Sequence, residues 1–189
     1  VSYDLMVVDV SNPASPALVG SLALGNEPYK VAVSGNYAYV TSFPSSGGLK
    51  VIDISNPGSP ALVGSLNLGI SAASVAASGS YVYLTDVTTD AFRVIDVSNP
   101  ASPVQVAMLP TGDNHATFAV SGNYAYLPEI TNGYFEVIDL SDPINPVLVA
   151  NPEICAVPVS ISVSGNYAYV VDKLTDDLKV VDVSNPGNP

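Results

Sequence analysis

Positive charge is scarce in this sequence. Among 189 residues there are five Lys and Arg against 17 Asp and Glu, one His, one Cys and no Trp. The five cations are Lys30, Lys50, Arg93, Lys173 and Lys179, and no two are adjacent. Nucleic-acid binding needs clustered cations that displace counterions from phosphate, and a polybasic membrane patch needs them beside an anionic surface. Both classes are excluded. The formal net charge of −12 favours solubility and disfavours anionic partners. With Cys155 alone, the chain forms no intrachain disulfide and no thiolate metal cluster. With His115 alone, it forms no His-rich zinc site, and no Ser or Cys nucleophile is tied to that histidine by a motif. No run of about 18 apolar residues could span a membrane, and no basic segment precedes an apolar stretch as in a signal peptide.

Turn formers and apolar residues are plentiful. Apolar residues make up 48% of the chain, with 14 Gly and 16 Pro. A packed core is affordable, but a helical bundle is not, because breakers interrupt every candidate helix. The same surface, rich in Ser, Thr, Asn and Gly, points toward a secreted or cell-surface prokaryotic protein.

Two landmarks recur in phase. An apolar strand carries an acidic residue at Asp9, Asp53, Asp96, Asp139 and Asp182, spaced 44, 43, 43 and 43 residues apart. A turn of the form SGNYAY or SGSYVY places a glycine at Gly35, Gly79, Gly122 and Gly165, each 26 residues after the preceding Asp. The extra residue of the first interval falls within 41–48. Each period reads as four short strands, A to D. In the second, A is Ala73–Ser78, B is Tyr81–Asp86, C is Ala91–Val97, and D is Val104–Leu109. Glycine in the A–B turn supplies the positive φ that a tight hairpin needs. Strand C has apolar residues on both faces (Val51, Ile52 and Ile54 in one copy), which requires a neighbour on each side. Four antiparallel strands per period of about 43 residues are the unit of a propeller blade. The predicted fold is an all-β propeller. Its divisions are a partial blade at 1–24 (C, D), blades at 25–68, 69–110 and 111–151, and a partial blade at 152–189 (A, B, C). A β-sandwich is the structural alternative, but its strands need not share one repeated sequence.

The strand C segments LMVVDVSNP, LKVIDISNP, FRVIDVSNP, FEVIDLSDP and LKVVDVSNP resemble the LVIVD repeat over essentially the whole chain. That family occurs in bacterial and archaeal cell-surface proteins and is thought to form β-propellers. The resemblance implies a surface-exposed propeller and carries over no catalytic residue.

Each candidate for chemistry has a structural reading. The repeated Asp stands two residues before Ser-Asn-Pro or Ser-Asp-Pro, where its carboxylate can accept from turn N–H groups; the spacing of a calcium loop is absent. The paired prolines read as connectors, and the Tyr-x-Tyr pairs of strand B as packing between blades. Acidic residues after strand B (Asp86, Asp90, Glu129, Asp172, Asp176 and Asp177) read as a solvated rim, with a weak cation site as the sharper alternative. In a four-stranded meander, the A–B and C–D turns share one end of the blade and are nearly uniform here. The B–C and D–A loops share the other end and differ from copy to copy. Binding on a rigid scaffold concentrates in such loops.

The predicted recognition face therefore uses Glu27, Tyr29, Asp113, Asn114, His115, Glu129, Tyr134 and Glu153. The expected function is a non-enzymatic extracellular or cell-surface module for adhesion, protein or glycan binding, or structural assembly. No cofactor, metal, catalytic residue or membrane insertion is expected. The alternative is a propeller hydrolase or lyase with a metal in the central channel. The strand count leaves one strand C too many for four closed blades. The chain is therefore expected to be an excerpt of a longer repeat protein or part of a multi-chain assembly, with further repeats or subunits at its ends. A closed four-bladed ring, with strand D at 17–24 joined to strand C at 178–183, is the competing arrangement.

Overall fold

The computed structural model describes residues 3–25, 27–43, 47–113, 115 and 117–189. Among these there are seventeen strands and no helix. They are β1 (Asp4–Asp9), β2 (Ala17–Ala23), β3 (Pro28–Ser34), β4 (Tyr37–Ser42), β5 (Gly47–Asp53), β6 (Ala61–Ile70), β7 (Ala72–Ser78), β8 (Tyr81–Asp86), β9 (Ala91–Asp96), β10 (Val104–Pro110), β11 (Ala119–Ser121), β12 (Tyr124–Pro128), β13 (Phe135–Asp139), β14 (Val147–Ala150), β15 (Pro158–Ser164), β16 (Tyr167–Asp172) and β17 (Asp177–Asp182). They form five antiparallel sheets: β1-β2, β3 to β6, β7 to β10, β11 to β14, and β15 to β17. The fold is that of a β-propeller, with four-stranded meanders as blades. It is an open arc, because β2 pairs only with β1 and β17 only with β16. The closed four-bladed arrangement, which needs β2 against β17, is not formed.

The repeat is legible in the backbone. Gly35, Gly79, Gly122 and Gly165 have φ of 56°, 58°, 57° and 57°, a conformation that L side chains rarely adopt, so these turns need glycine. At the far end of strand C, the repeated Asp accepts from the serine N–H two residues on, at 2.8 Å for Asp9, Asp53 and Asp139, 2.7 Å for Asp96 and 2.9 Å for Asp182. Bonding from the serine hydroxyl and N–H lowers the carboxyl pKa of Asp53, Asp96 and Asp182; at Asp9 the N–H contributes most. The sequence reading of this residue as a turn anchor holds.

Sheets stack through apolar faces of alternating parity. Tyr39, Leu49 and Val51 of the second sheet meet Ala72, Val82, Leu84, Ile95 and Val97 of the third. Tyr83, Phe92 and Val94 of the third meet Phe118, Ala125, Leu127, Ile138 and Leu140 of the fourth. Tyr126, Phe135 and Val137 of the fourth meet Cys155, Ala168, Val170, Val181 and Val183 of the fifth. Each complete blade thus presents a Tyr/Val face forward and an aliphatic face backward, with Ile in strand C; the fifth sheet has Ala and Val there. The Tyr-x-Tyr pairs belong to the forward face, as their phase implied. Aromatic packing crosses the third interface, with Phe92 stacked on Tyr83 at 5.7 Å and edge-on to Phe118 at 5.5 Å. On the outer strands, Gly20 and Gly64 let the next blade's C–D turn approach. A Cβ there would collide with the carbonyl oxygen of Pro57 and of Pro100, respectively.

Strand A of the fourth sheet is cut to three residues, against seven in β3, β7 and β15. The chain before it is drawn inward at His115, which is buried.

Phe92 is fully buried between two sheets. Phe92→Ala should therefore cost about 3–5 kcal/mol in urea unfolding, through lost transfer energy and a cavity. Val8→Ala, at an exposed position, should cost much less.

Candidate functional site

The loops at one end of the blades are tied together in pairs. Strand B continues into the B–C loop, and its first loop N–H bonds to the D–A loop of the same blade. Phe43 donates to the Glu27 carbonyl at 3.2 Å, Val87 to Ser71 at 3.2 Å, and Lys173 to Val157 at 2.9 Å. In the fourth sheet a bridge joins Tyr134 and Glu153. At the opposite end, strand C donates into the A–B turn: Ile54 to Asn36, Val97 to Ser80, Leu140 to Asn123 and Val183 to Asn166. The variable loops are therefore grouped at one end of every blade.

The residue at the end of strand B has a different task in each blade. In the third sheet it is Asp86, which accepts from Thr88 N–H at 2.9 Å and from the Thr89 hydroxyl at 2.6 Å. It also meets Arg93 Nη2 at 2.8 Å, with its own side chain fully buried. Arg93 spends a further N–H on Gln105 at 2.9 Å. Burial acts to raise the Asp86 pKa, but the Thr89, Thr88 and Arg93 bonds outweigh it, and the pKa is lowered.

In the fifth sheet the same position is Asp172. Its carboxylate accepts from Ala156 N–H at 2.6 Å, Val157 at 3.1 Å, Leu174 at 3.0 Å and Thr175 at 3.4 Å. The Ala156 bond is the largest cause that lowers its pKa to about 2; burial opposes it, and the other three N–H groups add to it. Asp86, Glu129 and Asp172 are all buried. For these three, the solvated-rim reading is corrected: they staple loops from inside. Asp90 and Asp176 take positive φ, at 48° and 53°, as turn residues.

The fourth sheet departs from this pattern. The central position of strand C is Lys50, Arg93, Glu136 and Lys179 in successive blades, so an acid stands where the others hold a cation. Lys50 donates to the Leu24 carbonyl, and Lys179 pairs with Asp177 at 2.8 Å. Glu136 is buried and accepts from Gly112 N–H at 2.9 Å. His115 Nε2 lies 3.0 Å from its other oxygen. That contact is out of line for a hydrogen bond, and among the described residues neither atom has another partner. The ring is held from behind, with Nδ1 3.3 Å from the Pro128 carbonyl. Glu129 is also buried; Asn132 donates to it at 2.7 Å, and its other oxygen fills the space that a Cβ at Gly112 would need. Among the described residues, no three His, Cys, Asp or Glu side chains come together in a way that could hold a metal ion.

The predicted face divides accordingly. Glu27, Tyr29, Asp113, Tyr134 and Glu153 are exposed. His115 and Glu129 are buried and not presented to a partner, a correction to their expected exposure. His115 packs against Glu136 and the Pro128 carbonyl, and Glu129 against Asn132. Asn114 lies outside the described residues. Tyr29 stacks on Phe43 at 4.9 Å, and Lys30 Nζ sits 5.1 Å from the Tyr29 ring. Glu27 accepts from the Tyr3 hydroxyl at 3.0 Å. The second sheet holds Glu27 and Tyr29, the fourth holds the others, and the third separates them. Sequence reasoning missed Glu136 and Arg93; the charge alternation at one repeat position was the signal. Cys155 packs between sheets, and burial, with Asp172 next, pushes its thiol up to about 11, so it is not a neutral-pH nucleophile.

The LVIVD repeat model matches residues 1–23, 29–67, 69–111, 116–152 and 159–189. The chain belongs to the LVIVD repeat family. No curated protein sequence matches it. Among solved structures it is similar to BamB from Moraxella catarrhalis, at 15% identity and TM-score 0.69 over 89% of this chain and 50% of that one. It is similar to the periplasmic gluconolactonase PpgL of Pseudomonas aeruginosa, at 17% identity and TM-score 0.69 over 89% and 60%. It is also similar to Citrobacter koseri AztD, at 18% identity and TM-score 0.65 over 89% and 47%. These likenesses show a shared propeller fold. The LVIVD chain spans roughly half the length of these proteins.

Two outcomes are expected from the buried carboxylates. Arg93→Ala leaves Asp86 buried without its cation and should cost about 3–5 kcal/mol in denaturant unfolding. Asp172 has a folded pKa below its ordinary 3.8. Its stabilisation is thus complete above pH 4 and is lost as pH falls through the folded value of about 2. Asp172→Asn should remove roughly one proton from the slope of stability against pH between 2 and 4, read as Tm across that range.

Proposed function

We propose that this LVIVD chain is a non-enzymatic binding module of an extracellular or cell-surface protein. It engages a protein or glycan through the loops that join strands B to C and D to A. One observation carries the reading. The buried carboxylates at this end are spent on holding loops, while the exposed polar side chains differ between blades. Asp86 is consumed by Arg93 and two threonines, and Asp172 by four N–H groups. Glu27, Tyr29, Asp113, Tyr134 and Glu153 project from the scaffold. With few cations to compete, neutral or cationic ligands suit this surface. The location outside the cytoplasm is supported by the family and by the periplasmic gluconolactonase PpgL among the structural neighbours.

A second reading rests on His115 and Glu136. A buried imidazole facing a buried carboxylate is the arrangement of a general base and its orienting acid. The gluconolactonase among the structural neighbours makes lactones and esters the substrates to try.

The two readings separate in one experiment. The purified chain is screened on a glycan array, and separately against a panel of lactones and esters. The binding reading expects glycan retention that falls at least about tenfold when Glu27, Tyr29, Asp113, Tyr134 and Glu153 become alanine together, with no turnover. Retention unchanged in that variant, or lost instead on changing Asn36 and Asn123 in the opposite turns, overturns it. Turnover by the wild-type chain that disappears in His115→Gln establishes the second reading.

A further inference from the structure

A cation without a counter-ion stands in the second sheet. At the end of strand B the blades hold Ser42, Asp86, Glu129 and Asp172 in turn, so the second alone lacks an acid there. At the centre of strand C they hold Lys50, Arg93, Glu136 and Lys179. The registers keep the second and third sheets in step at this point. Lys50 faces Val40 as Arg93 faces Leu84, and Ser42 pairs with Pro28 as Asp86 pairs with Ala72. In the third sheet the Asp86 carboxylate meets Arg93 Nη2 at 2.8 Å. In the fifth, Lys179 meets Asp177. Among the described residues, no carboxylate reaches Lys50 in this way. Lys50 donates to the Leu24 carbonyl, which uses one of its three N–H groups.

The room that a carboxylate needs is open beside it. Ser42, Gly48, Lys50, Ser65 and Asn67 line a recess of about 140 Å³. Its polar side chains are one lysine, two hydroxyl groups and one amide, with no acid among them, in a chain that holds 17 Asp and Glu against five Lys and Arg. The outer wall is also unlike that of the other blades. β6 runs ten residues, where the other outer strands run seven, seven and four. Its pairing with β5 shifts register between Gly47 and Gly48, a second irregularity that the other C–D pairs lack among the described residues. A bulge of this kind re-aims side chains. Here it is braced by Asn67, whose Oδ1 accepts from Gly69 N–H at 3.0 Å, so the amide NH2 of Asn67 is left to donate. The lining comes from β4, β5 and β6, so the recess belongs to one complete blade.

We propose that this recess binds the carboxylate of a hydroxylated acid, a sugar acid in chemical class, in the place that Asp86 fills in the next blade. Lys50 Nζ and the Ser42 hydroxyl donate to the carboxylate, and charge-assisted bonds of this kind are among the strong ones. Ser65 and Asn67, both exposed at the mouth, donate to the hydroxyl groups beyond it. The recess is larger than a carboxylate alone requires, which is why a hydroxylated acid fits better than a bare one. The loop end as a whole stays acidic, and this recess is its cationic exception. Repulsion from the distant acids is screened beyond roughly 8 Å at physiological salt. The inference stands apart from the reading of the loop face and uses none of its five exposed residues.

The test is an NMR titration of the 15N-labelled 189-residue chain at physiological salt. The probes are D-glucuronate, D-glucose, acetate and the α-amide of N-acetylaspartate. D-glucuronate should shift the Gly48 and Asn67 amide signals saturably, and acetate should do so at least about tenfold more weakly. D-glucose should leave them in place. D-glucuronate binding no tighter than acetate or D-glucose overturns the proposal. Tighter binding of the aspartate amide makes an acidic side chain the occupant and also overturns it. Lys50→Gln should weaken D-glucuronate at least about tenfold. Ser42→Asp supplies the carboxylate from within, so it should abolish binding and raise Tm, with the β-sheet signal in circular dichroism unchanged. D-glucuronate still bound by folded Ser42→Asp overturns the proposal. Ser65→Ala, at an exposed position, keeps the test decisive if Ser42→Asp does not fold. It should lower D-glucuronate affinity toward that of acetate, and an unchanged affinity overturns the assignment.

Discussion

Every blade of this protein has two apolar faces, and neither is satisfied within the blade. Strand C carries valine with leucine or phenylalanine on one side and isoleucine or valine on the other, so each sheet must be covered on both sides. Burial of such side chains contributes on the order of 25 cal/mol per Å² of apolar surface. Ordinary features of the fold follow from this requirement. The tyrosines of strand B serve the forward face. Glycine occupies strand D at Gly20 and Gly64, where the next blade's turn presses in. The outer connectors are short and proline-bound, which lets adjacent turns nest.

Charge is handled inside the same frame. With so few cations, the buried carboxylates at the loop end cannot all be paired with lysine or arginine. Asp86 receives the one arginine. Asp172 is neutralised by backbone N–H groups, which supply partial positive charge without a side chain. In the fourth sheet an acid replaces the cation on strand C, and the chain folds His115 inward against it. The positions at the end of strand B and the centre of strand C thus carry different partners in each blade, and the loops they hold differ accordingly. The exposed residues of the same loops carry the binding reading.

Much of this was legible in the residues. The period, the four strands, the turn glycines and the Asp that anchors the C–D turn all depend on neighbours within a few positions, and a sequence displays those directly. The forward placement of Tyr39 and Tyr83 followed from strand parity. The burial of His115 did not, because its neighbours are Glu136, more than twenty residues later on a different strand, and the Pro128 carbonyl; Glu129 is buried beside Asn132 and Gly112, the latter in a different loop. The clue was the lysine or arginine expected at position 136 by analogy with 50, 93 and 179, and an acid found instead.

The sequence by itself determined the blade: its strand order, its two faces and its tight turns, because alternation and turn chemistry are local. Only the tertiary structure decided which copies of those faces are covered. Val51 and Val180 occupy the same place in the repeat and differ completely in exposure, since burial is set by the sheet next door. The same holds at the loop end, where Asp86 and Asp172 share a position but find different partners across the fold. Periodicity states what each strand requires; stacking decides whether that requirement is met.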